Sequence, residues 1–222
     1  MKVILKVLLI FLPWFIRRRL MIKFCGYKIH SSAKIGFAFI YPKYLEMHKG
    51  SRIDHFTVAI NLDLVSMGYK SSIGRSNWIT GFPTSTSSSH FEHQKNRKSQ
   101  LVMGKNSAIT KNHHIDCTNR VDIGNFVTIA GYNSQFLTHS INIFENRQDS
   151  KPIQIGDYSF VGTNVVVLGG SKLPNNSVLG AKSLLNSSND QEWFLYGGVP
   201  ARPIKELSKN AKYFSRKVGF VK

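Results

Sequence analysis

The chain has 222 residues, 42% of them apolar, enough to fill the core of one generous domain and too many for a disordered chain. Thirty Lys and Arg against twelve Asp and Glu leave a formal charge of +18, which favours anionic partners such as phosphorylated cofactors, nucleic acid or acidic lipid without choosing among them. The only two cysteines, Cys25 and Cys117, exclude a disulfide framework and a CxxC zinc site, point to a reducing compartment and are assigned buried, inert roles.

The first segment, residues 1–30, opens with MKVILKVLLIFLPWFIRRRLMIK. Its apolar run, Val7 to Ile16, is too short to span a bilayer, which needs about 20 such residues. Arg17, Arg18 and Arg19 stand where a signal peptide would carry small residues for cleavage. Residues 1–22 are therefore expected to lie in the interface of an anionic membrane, with Trp14 and Phe15 at headgroup level and the arginines on acidic lipids. The alternative is a helix packed on its own body or on a sister subunit.

Residues 31–192 carry a repeat. Ile35 with Gly36 and Ile73 with Gly74 are its weak first members and predict irregular opening coils near residue 31. Residues 81–100, GFPTSTSSSHFEHQKNRKSQ, are polar, turn-rich and free of aliphatics, so they predict an ejected loop. Met103, Ile109, Ile115 and Val121 then follow at a spacing of six, before the register slips by two to Ile123 and Ile129. A second break covers residues 140–152. The deciding run comes next: Ile155, Val161, Val167, Leu173, Leu179 and Leu185 recur every sixth residue, with small Ser159, Val165, Ser171, Ser177 and Ser183 four places after the first five. Such a hexad builds a triangular coil, with the aliphatic residue inside, the small one near a corner, and glycine or asparagine supplying the turn. Three hexads make one coil, and stacked coils share a core that none could bury alone. After Leu185 the hexads stop, and residues 193–222 hold YGGVPARPIKEL and a basic segment whose spacing at Ile204, Leu207, Ala211 and Phe214 predicts a short helix.

These residues resemble the hexapeptide-repeat acyltransferases over about positions 31–207. The resemblance rests on the hexads, on THS followed by a loop and KPIQIGDYSFVGTNVVVLGG, and on YGGVPARPIKEL; the order of motifs is most similar to the sugar and polysaccharide O-acetyltransferases. It implies an all-β, left-handed parallel β-helix, a homotrimer, and direct transfer from acetyl-CoA with neither a metal nor an acyl-enzyme. His139, at the coil end before the second break, matches the family's general base, a task suited to imidazole because its pKa lies near working pH. The plainer reading of His139 is a loop cap.

Asn112 and His113 match a coil where similar enzymes face the acceptor, although His113 serves equally well as a structural residue and His114 better as one. Allowing for the slip, His113 and His139 are 24 residues apart in register, one coil plus one face, so contact across a trimer interface is as open as contact within one subunit. The partner that orients His139 is left among Glu145, Asp149 and a backbone carbonyl. His90, His93 and Arg97 line an acceptor entrance or belong to a solvated loop. For CoA, the family groove between subunits matches Gly162 and Gly180, where backbone approaches pantetheine or simply turns a corner, and Lys182 and Arg202, which offer cations to phosphate.

The expected function is an acyl-CoA-dependent O-acetyltransferase acting on a sugar hydroxyl of a bacterial surface polysaccharide or its lipid-linked precursor, at the cytoplasmic face of the cell membrane. An N-acyltransferase of an amino sugar nucleotide would share fold and base. His139 in its motif opposes an inactive β-helix scaffold. The lack of an aromatic and basic stripe on a reading element opposes nucleic-acid binding.

Overall fold

The computed structural model describes residues 3–221. Their chain winds into three parallel sheets, one on each side of a triangular prism, as a left-handed β-helix. Face A stacks strands from Lys28–Ile29 to Lys172–Leu173, face B begins at Lys34–Ile35, and face C runs from Phe39–Tyr41 to Leu184–Leu185. The hexad explains the short strands, since a corner interrupts the extended backbone every few residues.

Ile155, Val161, Val167, Leu173, Leu179 and Leu185 all point inward and are buried, as are Ser159, Val165, Ser171, Ser177 and Ser183. The serines also satisfy corner carbonyls: Ser159 Oγ donates to Pro174 O (2.7 Å) and Ser171 Oγ to Leu185 O (2.9 Å). Corner residues with positive φ include Asn112, Asn133, Asn164 and Asn176, the residue type that tolerates this region after glycine.

The two-residue slip is a widening of face A. Val121 pairs with Ile153 and Ile123 with Ile155, so both members of the slip lie in one strand and both are buried. Leu101 with Met103, and Val65 with Met67, repeat this arrangement. The opening coils are regular rather than irregular, and coiling starts before residue 31: Lys28 pairs with Glu46 and Ile35 with Ile53. Widened coils and the buried Met47, Ala59 and Met67 had hidden the aliphatic spacing.

The N-terminus corrects an expectation. Helix Trp14–Cys25 covers the end of the first coil, with Met21 fully buried. Trp14 Nε1 donates to Ala33 O (2.9 Å), Arg18 Nη2 to Ile29 O (2.8 Å), and Arg17, only 2% exposed, to Gly36 O (2.8 Å) and Ala38 O (2.5 Å). A first coil has no predecessor, and these side chains take up carbonyls that would otherwise face none. Trp14, Arg17 and Arg18 are thus committed to the protein rather than to lipid, whereas Arg19 is exposed. Ahead of this cap, helix Val3–Leu8 and the turn Leu9–Phe11 expose Ile4, Leu5, Leu8 and Phe11. Met1 and Lys2, part of the expected membrane segment, lie outside the described residues. Among those described, no helix is long and apolar enough to cross a membrane.

At the other end, Phe194–Gly198 extends face B beside Val178–Leu179, and Ala201–Glu206 folds back antiparallel. Ile204 is therefore an exposed strand residue, and the expected C-terminal helix is a single 3-10 turn, Lys212–Ser215, anchored by Phe214 against Trp193. Cys117 is buried and Cys25 half-buried; burial pushes both thiols up.

Candidate active site

Both ejected segments leave the same corner, between faces C and A. Residues 81–99 follow strand Trp78–Thr80, and the hairpin of His139–Asn142 with Arg147–Ser150 follows Gln135–Leu137. The two segments are latched together. His93 Nε2 lies 2.6 Å from Asp149 Oδ1, Gln94 Nε2 donates to Ser150 O (3.0 Å), and Ser150 Oγ donates to Gln94 Oε1 (2.5 Å).

His139 is the first residue of the hairpin, and its Nδ1 lies 2.8 Å from Asp116 Oδ2. Asp116 ends strand His114–Asp116 of the preceding coil, directly paired with Leu137. Its Oδ1 accepts from Thr118 N (3.0 Å) and Thr118 Oγ1 (2.6 Å), and its Oδ2 from Thr138 N (2.9 Å), Thr138 Oγ1 (2.6 Å) and His139 N (3.2 Å). Burial alone would raise this carboxyl, but the bonds from His139, Thr118 and Thr138 outweigh it and hold the pKa at about 2. The same hydrogen bond, accepted by Asp116, lifts His139 above its ordinary 6.5, against its partial burial and the nearby Arg97.

A carboxylate on Nδ1 keeps the proton there and leaves the lone pair of the neutral ring on Nε2. Nε2 has no hydrogen-bond partner among the described residues, and the side chain is 42% exposed. The pair can take a proton from an incoming hydroxyl and stabilise the imidazolium that results. Phe91 packs edge-on against the imidazole, centroids 6.1 Å apart at 89°. Arg97 holds Phe91 in place, 4.7 Å over its ring, while donating to Phe82 O and Thr118 O (each 2.5 Å). One coil further on, a Cβ at Gly169 would lie 2.6 Å from Thr138 O, so only glycine fits. The Gly169 N–H meets no acceptor among the described residues.

His113 is fully buried at the opposite corner, between faces B and C. Its Nδ1 accepts from Ser134 N (3.2 Å), its Nε2 lies 3.0 Å from Thr110 Oγ1, and burial pushes its pKa down to about 4. Asn112 is exposed beside it with φ 54, and His114 is exposed on face C. A three-residue strand, roughly 10 Å long, separates Asn112 and His113 from the His139 corner of the same chain. Gly162 and Lys182 share that far corner; Gly162 stacks on Ala181, where a Cβ would lie 2.7 Å from Ala181 N. Gly180 ends a face B rung below Tyr196, and Arg202 is exposed opposite Gly197 in the closing hairpin. Glu145 lies near Arg147, and Asp149 is taken by His93 and Asn142, so neither orients His139. His90 packs edge-on against Phe82. Asp116 is hidden in the sequence because the widened face A shifts the residue count between coils; alignment of HIDCT with QFLTH one rung apart is the signal that finds it.

No protein-family model and no curated protein matches the sequence. Among solved structures, the N-acyltransferase AntD of Bacillus cereus, in complex with dTDP and 3-hydroxybutyryl-CoA, is similar with a TM-score of 0.54 and 13% identity over 82% of this chain and 87% of its own. A second Bacillus cereus protein, assigned as an acetyltransferase, gives 0.51 and 18% over 85% of this chain and 88% of its own. The chain shares the fold of these acyltransferases. A hexapeptide-repeat acetyltransferase from Vibrio cholerae is also similar, at 21% identity and a TM-score of 0.47 over 92% of this chain and 88% of its own. At such identities the likeness speaks for the fold, and the chemistry has to be argued from the residues.

Proposed function

We propose that the protein is an acyl-CoA-dependent O-acetyltransferase that acetylates a sugar hydroxyl of a bacterial surface polysaccharide or its lipid-linked precursor. The observation that carries this reading is the His139–Asp116 pair at the rim of an exposed corner, with Nε2 unoccupied among the described residues. In this reading Nε2 takes the proton of the acceptor hydroxyl as its oxygen attacks the thioester carbonyl. The free N–H of Gly169 donates to the oxyanion, the carbon–sulfur bond breaks, and the proton passes from Nε2 to the departing thiolate. Acetyl-CoA is the donor, in line with the CoA esters in similar structures, and no metal enters this route.

The donor residues favour a homotrimer. Gly162 and Lys182 lie at the corner opposite His139, so a groove that includes both corners is built between two copies of the chain. Face C turns Val58, Trp78, Leu137 and Leu168 outward, an apolar surface suited to that contact. Asn112 then approaches the acceptor only from a neighbouring copy, while His113, fully buried and engaged by Ser134 and Thr110, acts as a structural residue. The membrane contact is narrower than residues 1–22: it comprises the exposed Ile4, Leu5, Leu8, Phe11 and Phe15 with Arg19, at the cytoplasmic face.

Incubation with radiolabelled acetyl-CoA and glycans from bacterial surface polymers tests the reading. Transfer to an ester that hydroxylamine removes, abolished in His139→Ala, is the expected result. A hydroxylamine-stable amide product would favour the N-acyltransferase instead, and equal transfer by His139→Ala would overturn the role of the base.

A further inference from the structure

The excess of positive charge has a local expression beside His139. A hollow of about 430 Å³ lies between the latched segment 93–98 and the ordinary corner at Asn119 and Arg120, and no carboxylate lines it. Arg120 is bound by Asp122 through two contacts of 2.6 Å, Arg97 by backbone carbonyls, and His93 by Asp149. Lys95 and Lys98 remain. Both are exposed, and neither has a carboxylate within 4 Å among the described residues. The far side of the same segment bounds a second hollow of about 420 Å³, lined by the hydroxyls of Thr84, Thr86 and Ser87–Ser89 and by Phe91, the residue whose ring meets His139. One preformed wall therefore separates a hydroxyl-rich cup, bounded by the Phe91 that packs on the base, from a cationic hollow.

We propose that the acceptor is an anionic glycan, whose neutral sugar hydroxyls occupy the Ser/Thr cup near His139 while a carboxylate or phosphodiester further along the chain binds Lys95 and Lys98. Uncharged hydroxyls match the cup, whose wall carries five serine and threonine side chains, and an anion matches the hollow that has no acid of its own. The latches from His93 and Gln94 to the hairpin hold the lysine segment before the glycan arrives, which lowers the entropy lost on binding. The inference rests on the acetyltransferase reading for the role of the glycan, but not for its binding.

Binding of the full chain, without donor, to three size-matched labelled oligosaccharides (neutral, carboxylated and phosphodiester-linked) tests it by fluorescence anisotropy at low and high salt. The expected result is at least about tenfold tighter binding of one charged probe than of the neutral one, weakened by salt. Which charged probe binds identifies the anion. K95Q/K98Q should lose most of that preference, and K205Q/K209Q, which removes the same charge from exposed sites elsewhere, should keep it. Equal binding of all three probes, or equal losses in the two double variants, would overturn the proposal. Acetyl transfer is read separately: a charged-probe preference with no transfer leaves the site intact and refutes the enzyme reading instead.

Discussion

Asp116→Asn is the most informative single change. The Oδ2 position faces four donors and the Oδ1 position two, so the asparagine should keep its carbonyl toward Thr138 and His139 and turn its amide toward Thr118. The imidazole then keeps its Nδ1 proton and its orientation but loses the negative charge that favours imidazolium. His139 lies above 6.5 in the native protein chiefly through this bond, so its titration should move to lower pH in the variant. The acid limb of kcat/KM should move with it, while the maximal rate falls about 10- to 100-fold, part of the 10²–10⁴ that a general base contributes. The amide also faces the Thr118 N–H, a donor against a donor, at about 1–3 kcal/mol. Because Asp116 titrates at about 2 when folded against 3.8 ordinarily, the native carboxylate adds about 2 kcal/mol that is present above pH 4 and lost as the pH falls towards 2. The variant should lack that acid-sensitive component. NMR titration of the histidine rings, a pH–rate profile and denaturation at pH 3 and pH 7 read the three effects. An unchanged His139 titration in a folded variant would refute the coupling on which the reasoning depends.

His139→Ala should lower turnover by about two to four orders of magnitude with little change in melting temperature, since the side chain is 42% exposed. Near-native turnover would remove it from the mechanism. Arg17→Met should cost about 3 kcal/mol in chemical denaturation, because the Gly36 and Ala38 carbonyls lose charged donors at a buried site. Deleting residues 1–12 should leave the cap and the fold intact yet weaken co-sedimentation with anionic vesicles, whereas deletion through residue 22 should destabilise the protein by removing the buried Arg17 and Met21. Full-length protein that stays in the supernatant with such vesicles at low salt would overturn the membrane contact. Light scattering should show a trimer that Trp78→Glu weakens, and a fully active native monomer would exclude the shared groove.

The sequence by itself determined the coil. A period of six with a small residue at a fixed offset is compatible with few backbones, since the inward aliphatic recurs at every face and a serine answers a corner carbonyl before faces A and B. It also marked His139, because the repeat breaks immediately after it. Face A in the early coils was harder to read, where two extra residues per coil and methionines in aliphatic places blur the spacing. What only the tertiary structure decided are contacts between residues that lie far apart along the chain and one or two rungs apart in space. Asp116 meets His139 across 23 residues, and His93 meets Asp149 across 56, because stacked coils bring corners together whatever the length of loop between them. Arg17 was equally ambiguous: three consecutive arginines read alike, and the helix turned one into the prism, one to its edge and one to solvent because the first coil leaves carbonyls with no strand to pair them.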